Sequence, residues 1–156
     1  MIWVQPDDPQ RRDVVELLTA HLAFSNEHSA PQDVHALDVD SLCSPDIAFF
    51  SARSDGGELL GVGALRRLSP DHSEIKSMHT TAAARGQGIG RTMVEHLLAN
   101  ARIAGATRVS LETGTMEAFA PARALYTSLG FVVCEPFGDY WATAASVCMT
   151  LELGPA

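Results

Sequence analysis

The chain holds no apolar run near the roughly 20 residues that span a bilayer, so no membrane helix is predicted. Residues 1–8 have neither a basic start nor an apolar stretch, and a secretory signal is not expected. Cysteine is scarce. Cys43, Cys134 and Cys148 are far apart and odd in number, which fits neither a zinc-ligand spacing nor a disulfide framework. The compartment this usage predicts is a reducing cytoplasm. Basic residues are outnumbered 11 to 19, for a net charge of −8. Such a surface repels phosphate backbones, so no nucleic-acid partner is expected. It attracts cationic or amine-bearing molecules, weakly at physiological salt. An anionic cofactor would need local positive charge, and one segment supplies it.

What the chain does have is enough apolar content, 46% of 156 residues, for one domain over 1–156 with its own core. Residues 2–4 read as a first strand. Val14, Leu17, Leu18 and Leu22 recur at helical spacing within 13–24, and residues 25–31 are expected to break that helix. A short second helix is expected over 38–42. Strands are predicted at 47–52, 58–68 and 73–80, with turns at Asp55-Gly56-Gly57 and Ser69-Pro70-Asp71 between them. A second amphipathic helix follows from Ile89, with Met93 and Leu97 on its apolar face and Gly105 as its cap. A strand at 108–113, a helix from Pro121 to Leu129 capped by Gly130, and strands at 131–134 and 147–153 complete the chain. Three antiparallel strands leading into a β-α-β unit predict an α/β (α+β) fold, a mixed sheet with helices on its faces.

Between the 73–80 strand and its helix lies Arg85-Gly86-Gln87-Gly88-Ile89-Gly90-Arg91. Glycines there let backbone N–H groups approach an anion, and the helix N-terminus favours negative charge. The two arginines can add charged hydrogen bonds. The spacing fits neither a dinucleotide-binding G-x-G-x-x-G nor a Walker A loop, which sets aside a nucleotide switch. Taken alone, an R-x-x-G-x-G stretch is equally a tight strand-to-helix turn without a ligand. His21, His28 and His35 recur every seven residues, but Pro31 interrupts any continuous helix and seven is no zinc spacing, so no metal is expected. Glu74 and Lys76 share a strand face by parity, together with Met78. Buried charges are normally paired, so a structural ion pair of Lys76 with Glu74 or Glu112 is one reading of them.

The R-x-x-G-x-G loop and the later Ala124-Leu125-Tyr126-Thr127-Ser128-Leu129-Gly130-Phe131, in this order of elements, resemble the GNAT superfamily of N-acetyltransferases over nearly the whole chain. Glu74-Ile75-Lys76-Ser77-Met78, Leu111-Glu112-Thr113-Gly114 and Pro136-Phe137-Gly138-Asp139-Tyr140 resemble a small bacterial branch of it, the YsnE-like proteins. The resemblance implies that the parallel strands 73–80 and 108–113 splay apart. The pantetheine of acetyl-CoA would lie in the gap, along Met78, His79 and Thr80. Its pyrophosphate would sit on Arg85, Gly86, Gln87, Gly88, Ile89, Gly90 and Arg91. An amine would then attack the thioester directly in a ternary complex, without metal.

Further roles follow from the same resemblance. Tyr126 is the candidate acid for the departing thiolate. It is read on the flank of a Leu125–Leu129 seam, where the alternative is a core tyrosine. Glu74 is the candidate base, directly or through water, alongside its reading as half of an ion pair. The backbone N–H of Met78 is the expected oxyanion donor. His28, His35, Glu112 and Tyr140 are candidates for the acceptor pocket, and Trp141 for its rim. Many relatives carry Asn seven positions before the tyrosine, where this chain has Phe119, and the stretch after Tyr140 is less polar than in that branch. The implied activity is transfer of acetyl to a primary amine of a small molecule or amino acid. The alternative is an idle fold of this kind that binds acyl-CoA as a sensor. Many members dimerise, so a homodimer is among the expectations.

Overall fold

The computed structural model describes residues 1–28 and 39–154, with the backbone alone for residues 25–28. Seven strands form one sheet in the order β1-β2-β3-β4-β5-β7-β6. They are β1 (Ile2–Pro6), β2 (Ile47–Ser54), β3 (Leu59–Ser69), β4 (His72–Thr80), β5 (Arg108–Gly114), β6 (Val132–Cys134) and β7 (Ser146–Glu152). Only β4 and β5 are parallel. The helices are α1 (Arg12–His28), α2 (Val39–Leu42), α3 (Ile89–Ile103) and α4 (Ala120–Ser128). The element order matches the sequence reading. Several ends differ by one or two residues, and one by more: α1 continues through residues 25–28 instead of stopping at Phe24. Ser and Asn weaken a helix without breaking it, Glu favours one, and no proline falls within 12–28. No described helix is long and apolar enough to cross a membrane.

Strand alternation sends neighbours to opposite sides of the sheet, as with Phe49 and Phe50 or Ala64 and Leu65. One core joins Leu65, Ile75, Val109, Leu111 and Met149 to Ile89, Met93, Val94 and Leu97 of α3 and Tyr126 of α4. The other packs Val14, Leu17 and Leu18 of α1 and Leu42 of α2 on Phe49, Val62 and Ala64. Each such side chain contributes about 1.5–3 kcal/mol when fully buried. A buried charge network pins the start of α1 to the sheet. Arg53 on β2 reaches Asp7 at 3.0 Å and Asp13 at 2.7 Å, and Ser51 donates to Asp7 at 2.5 Å. Burial raises the Asp7 carboxyl, but the hydrogen bonds from Ser51, the Asp8 backbone and Arg53 outweigh it and hold the pKa below the usual value.

Two irregularities in β4 create the site. The β4–β5 pairing runs from His72 with Arg108 to Ile75 with Leu111 and ends there, although β4 continues to Thr80 and β5 to Gly114. The strands therefore separate, as the resemblance implied. Just past that point the β3–β4 register shifts, and Ser77 takes φ 56°, alone in the left-handed region among described non-glycine residues. The bulge reverses the alternation. Met78 packs with Ile75 and Met93 on the α3 side, whereas Glu74 and Lys76 face the other way. The parity reading that put Met78 beside Glu74 and Lys76 is thereby corrected. Gly63 sits opposite the bulge, where a Cβ would come within 2.8 Å of both Met78 Sδ and Met93 Cγ.

Candidate active site

The separated strands open a cleft of about 700 Å³. Its walls are residues 76–80 of β4, residues 111–114 of β5, Leu125 and Tyr126 of α4, and His21 and Phe24 of α1. Arg85, Gly86, Gly88, Ile89, Gly90 and Arg91 line one end. Gly86 and Gly88 both have φ 79°, a conformation that L side chains rarely adopt, and an added Cβ would meet nothing within 4 Å at either. Gly88 is the N-cap of α3, and among the described residues no side chain caps it. The first N–H groups of a 15-residue helix thus lack a capping side chain at the cleft's end. With the positive end of the helix and the exposed Arg85, this forms a seat for a phosphate group. The Arg91 guanidinium donates to Ser128 Oγ at 2.6 Å, so its side chain also ties α3 to α4. Gln87 does not line the cleft; its side-chain amide donates to the Ala83 carbonyl at 3.3 Å.

Tyr126 is the buried residue of α4, at 5% exposure, and stacks edge-on to Phe131 at 5.7 Å. It therefore belongs to the core as well as to the cleft wall, which corrects its placement on the flank of a leucine seam. Its hydroxyl has no hydrogen-bond partner among the described residues, and burial pushes its pKa well above that of an ordinary phenol.

On the opposite face lies a polar trio. Tyr140, from the loop between β6 and β7, donates to Glu74 Oε2 at 2.5 Å and accepts from Lys76 Nζ at 2.7 Å. Lys76 also reaches Glu74 at 3.4 Å, and its ammonium lies 5.3 Å from the Tyr140 ring centre. Lys76 is the only lysine in the chain, and both partners of the ion pair are almost fully buried. Burial first, then the Glu74 charge, drive the Tyr140 phenol far above its usual pKa. Lys76, Tyr140 and Glu112 line the main cleft, whereas Glu74 lines a smaller pocket of about 210 Å³ with Arg66, Asp139 and Trp141. Lys76 and Tyr140 line both, so they form the partition between the two spaces.

A second pairing was not foreseen. His21 Nδ1 and His79 Nδ1 are 3.2 Å apart at the cleft wall, with Phe24 beside His79 and Phe119 beside Phe24. Burial, then the His79 ring, pushes His21 down to about 4. Burial and the nearby Arg85 lower His79 as well. In the unfolded chain His21 would titrate near its ordinary 6.5. Its contribution to stability is therefore intact above about pH 6.5 and is lost as pH falls toward about 4, by roughly 3 kcal/mol at most. Urea unfolding at about pH 7 and about pH 4.5 is expected to show this loss, and a His21→Phe variant a clearly smaller one. Equal losses in both would refute the assignment. The aspartates held low by Arg53 and by Ser44 and Arg66 titrate below that window.

Of the other acceptor-pocket candidates, His35 lies outside the described residues, as does the His28 side chain. Phe119 lies against Gly114, where an added Cβ would stand 2.4 Å from its ring, and so gives the cleft an apolar wall at that point. Among the described residues no group of three His, Cys, Asp or Glu is placed to hold a metal.

Comparison with known proteins agrees with this geometry. Residues 13–131 match the model of the acetyltransferase (GNAT) family. The uncharacterized N-acetyltransferase YsnE of Bacillus subtilis (strain 168) is 44% identical over 150 residues, covering 96% of this chain and 99% of that protein. A Klebsiella pneumoniae protein assigned as an acyl-CoA N-acyltransferase superposes with TM-score 0.82 at 26% identity, over 98% of each chain. A GNAT acetyltransferase from Elizabethkingia anophelis with acetyl-CoA bound shares the fold, at TM-score 0.71 and 18% identity over 97% of this chain and 98% of that one. A sheet split between β4 and β5, an uncapped glycine loop at its mouth and these relationships lead to one conclusion: the chain belongs to the GNAT family and is an acyl-CoA-dependent N-acetyltransferase.

Proposed function

We propose that the protein transfers acetyl from acetyl-CoA to the primary amine of a small molecule or amino acid. The observation that carries this reading is the continuity of one cleft from the bare N-terminus of α3 to Tyr126 and the Lys76–Tyr140 partition. The pyrophosphate occupies the loop from Arg85 to Arg91, chiefly through backbone N–H groups. The pantetheine runs along Met78, His79 and Thr80, where β4 has lost its β5 partner.

The amine enters from the polar side. An ammonium ion cannot attack, so it gives up a proton, which the Tyr140 oxygen accepts as its own hydroxyl proton passes to Glu74. Lys76 donates to the Tyr140 oxygen and steadies it between them. The amine nitrogen bonds to the thioester carbon, and the carbonyl electron pair moves to oxygen, held by the Met78 N–H. Collapse breaks the carbon–sulfur bond, Tyr126 gives its proton to the sulfur, and the second proton of the newly bonded nitrogen passes back to the Tyr126 oxygen, which leaves a neutral amide. The products are an amide and free CoA. Acceptor choice lies with Glu112, Tyr140 and Trp141.

The test is thiol release from acetyl-CoA across a panel of primary amines and amino acids. Amine-dependent release supports the reading and reports the acceptor class. Tight binding of acetyl-CoA with no release by any amine moves the chain to the idle, acyl-CoA-sensing alternative.

A further inference from the structure

Ser77 combines two anomalies at one place. Its φ of 56° is a conformation that L residues avoid unless their surroundings impose it. Its Oγ is wholly buried and has no hydrogen-bond partner among the described residues, while the residue as a whole is 8% exposed and lines the cleft. A buried hydroxyl without a partner destabilises a folded chain, and the cost disappears only when something else supplies an acceptor. The bulge accounts for the backbone, but it leaves the hydroxyl without an acceptor. The serine stands on the bulge, two residues beyond the last β4–β5 pair. The phosphate seat begins further along the chain, past Thr80. At about 3.3 Å per strand residue, Ser77 lies roughly 10 Å deeper than Thr80. It is therefore at the inner end of the cleft, where the acyl end of a CoA chain would arrive.

We infer that the Ser77 hydroxyl donates a hydrogen bond to the thioester carbonyl oxygen of the bound acyl-CoA and, with the Met78 N–H, to the oxyanion that forms there. This rests on the reading of the cleft as an acyl-CoA site. A thioester oxygen accepts and cannot donate, which matches an orphaned hydroxyl with its proton to give. The residue lines the cleft just past the point where the β4–β5 pairing ends. Positive charge develops on the attacking nitrogen and negative charge on this oxygen. A donor fixed beforehand thus acts most strongly in the transition state.

Two variants test this. Ser77→Ala removes the hydroxyl and keeps the Cβ; Ser77→Gly also relieves the backbone. Both are expected to lose about a hundredfold in kcat, the scale of one lost oxyanion donor. Neither should unfold at a lower temperature than the parent, because no internal hydrogen bond is lost. Titration calorimetry gives a readout independent of turnover. The parent is expected to bind acetyl-CoA several-fold more tightly than CoA, up to about tenfold, and Ser77→Ala to lose most of that preference. An Ala variant with kcat within about twofold of the parent, or with the preference for acetyl-CoA intact, overturns the inference. If kcat falls only in step with thermal stability, the role is structural and the inference is again overturned. A parent that binds neither acetyl-CoA nor CoA overturns the cleft reading itself.

Discussion

Replacing Tyr126 by phenylalanine is expected to lower kcat by about a hundredfold and to leave KM for acetyl-CoA within about twofold. The magnitude is the lower part of the usual range for general acid catalysis. The asymmetry follows from position. The ring already packs on Phe131 within the α3-side core, and its hydroxyl has no partner to lose. Binding and folding should therefore survive, and thermal stability should hold or rise slightly. Burial keeps the phenol protonated far above neutrality. It can supply a proton at any working pH and cannot serve as the initial base. Steady-state kinetics with a measured melting temperature check this. A variant with unchanged kcat would reduce Tyr126 to a core residue.

Glu74→Ala carries the other large effect, and it falls on stability as well as on turnover. It leaves Lys76, with a side chain 7% exposed, without its carboxylate. Removing one partner of a buried pair costs roughly 3–5 kcal/mol, or a melting temperature lower by about 6–20 °C in a domain of this size. The informative comparison is the double variant Glu74→Leu with Lys76→Met. Apolar replacement of both charges is often neutral or stabilising, so thermal stability is expected to return. If Glu74 takes the amine's proton through Tyr140, kcat stays at least about a hundredfold down in the double variant. Recovery of both would show a structural ion pair and nothing more.

The elements that were legible in the chain are those with local causes. The period of Ile89, Met93 and Leu97, the turn at Asp55-Gly56-Gly57 and the alternation in β7 each depend on near neighbours, and each stands where the pattern placed it. The glycine loop was legible because its conformation needs glycine itself. What escaped depends on distant contacts. No pattern in residues 73–80 announces a left-handed serine, since the bulge is made possible by Gly63 across the sheet and by the loss of β5 on the other side. Counting parity through it therefore put Met78 on the wrong face. The Lys76–Glu74 contact could be inferred from two charges on one strand. The third member, Tyr140, lies 64 residues from Lys76, and its short loop could only be placed near the acceptor mouth by resemblance. His21 was read with His28 and His35 along the chain, whereas its partner is His79 across the cleft.

Direct transfer in this cleft is decided by the fate of the acetyl group, and the most direct measurement is to follow it. Isotopically labelled acetyl-CoA would be mixed with the protein and the best amine of the panel, and products and intact chain weighed by mass spectrometry through a single turnover. Labelled amide is expected in step with free CoA, with no labelled acetyl on the chain, Ser77 and Lys76 included. Label that accumulates on the protein before the amide forms, or thiol released without amide, would contradict direct transfer in this cleft.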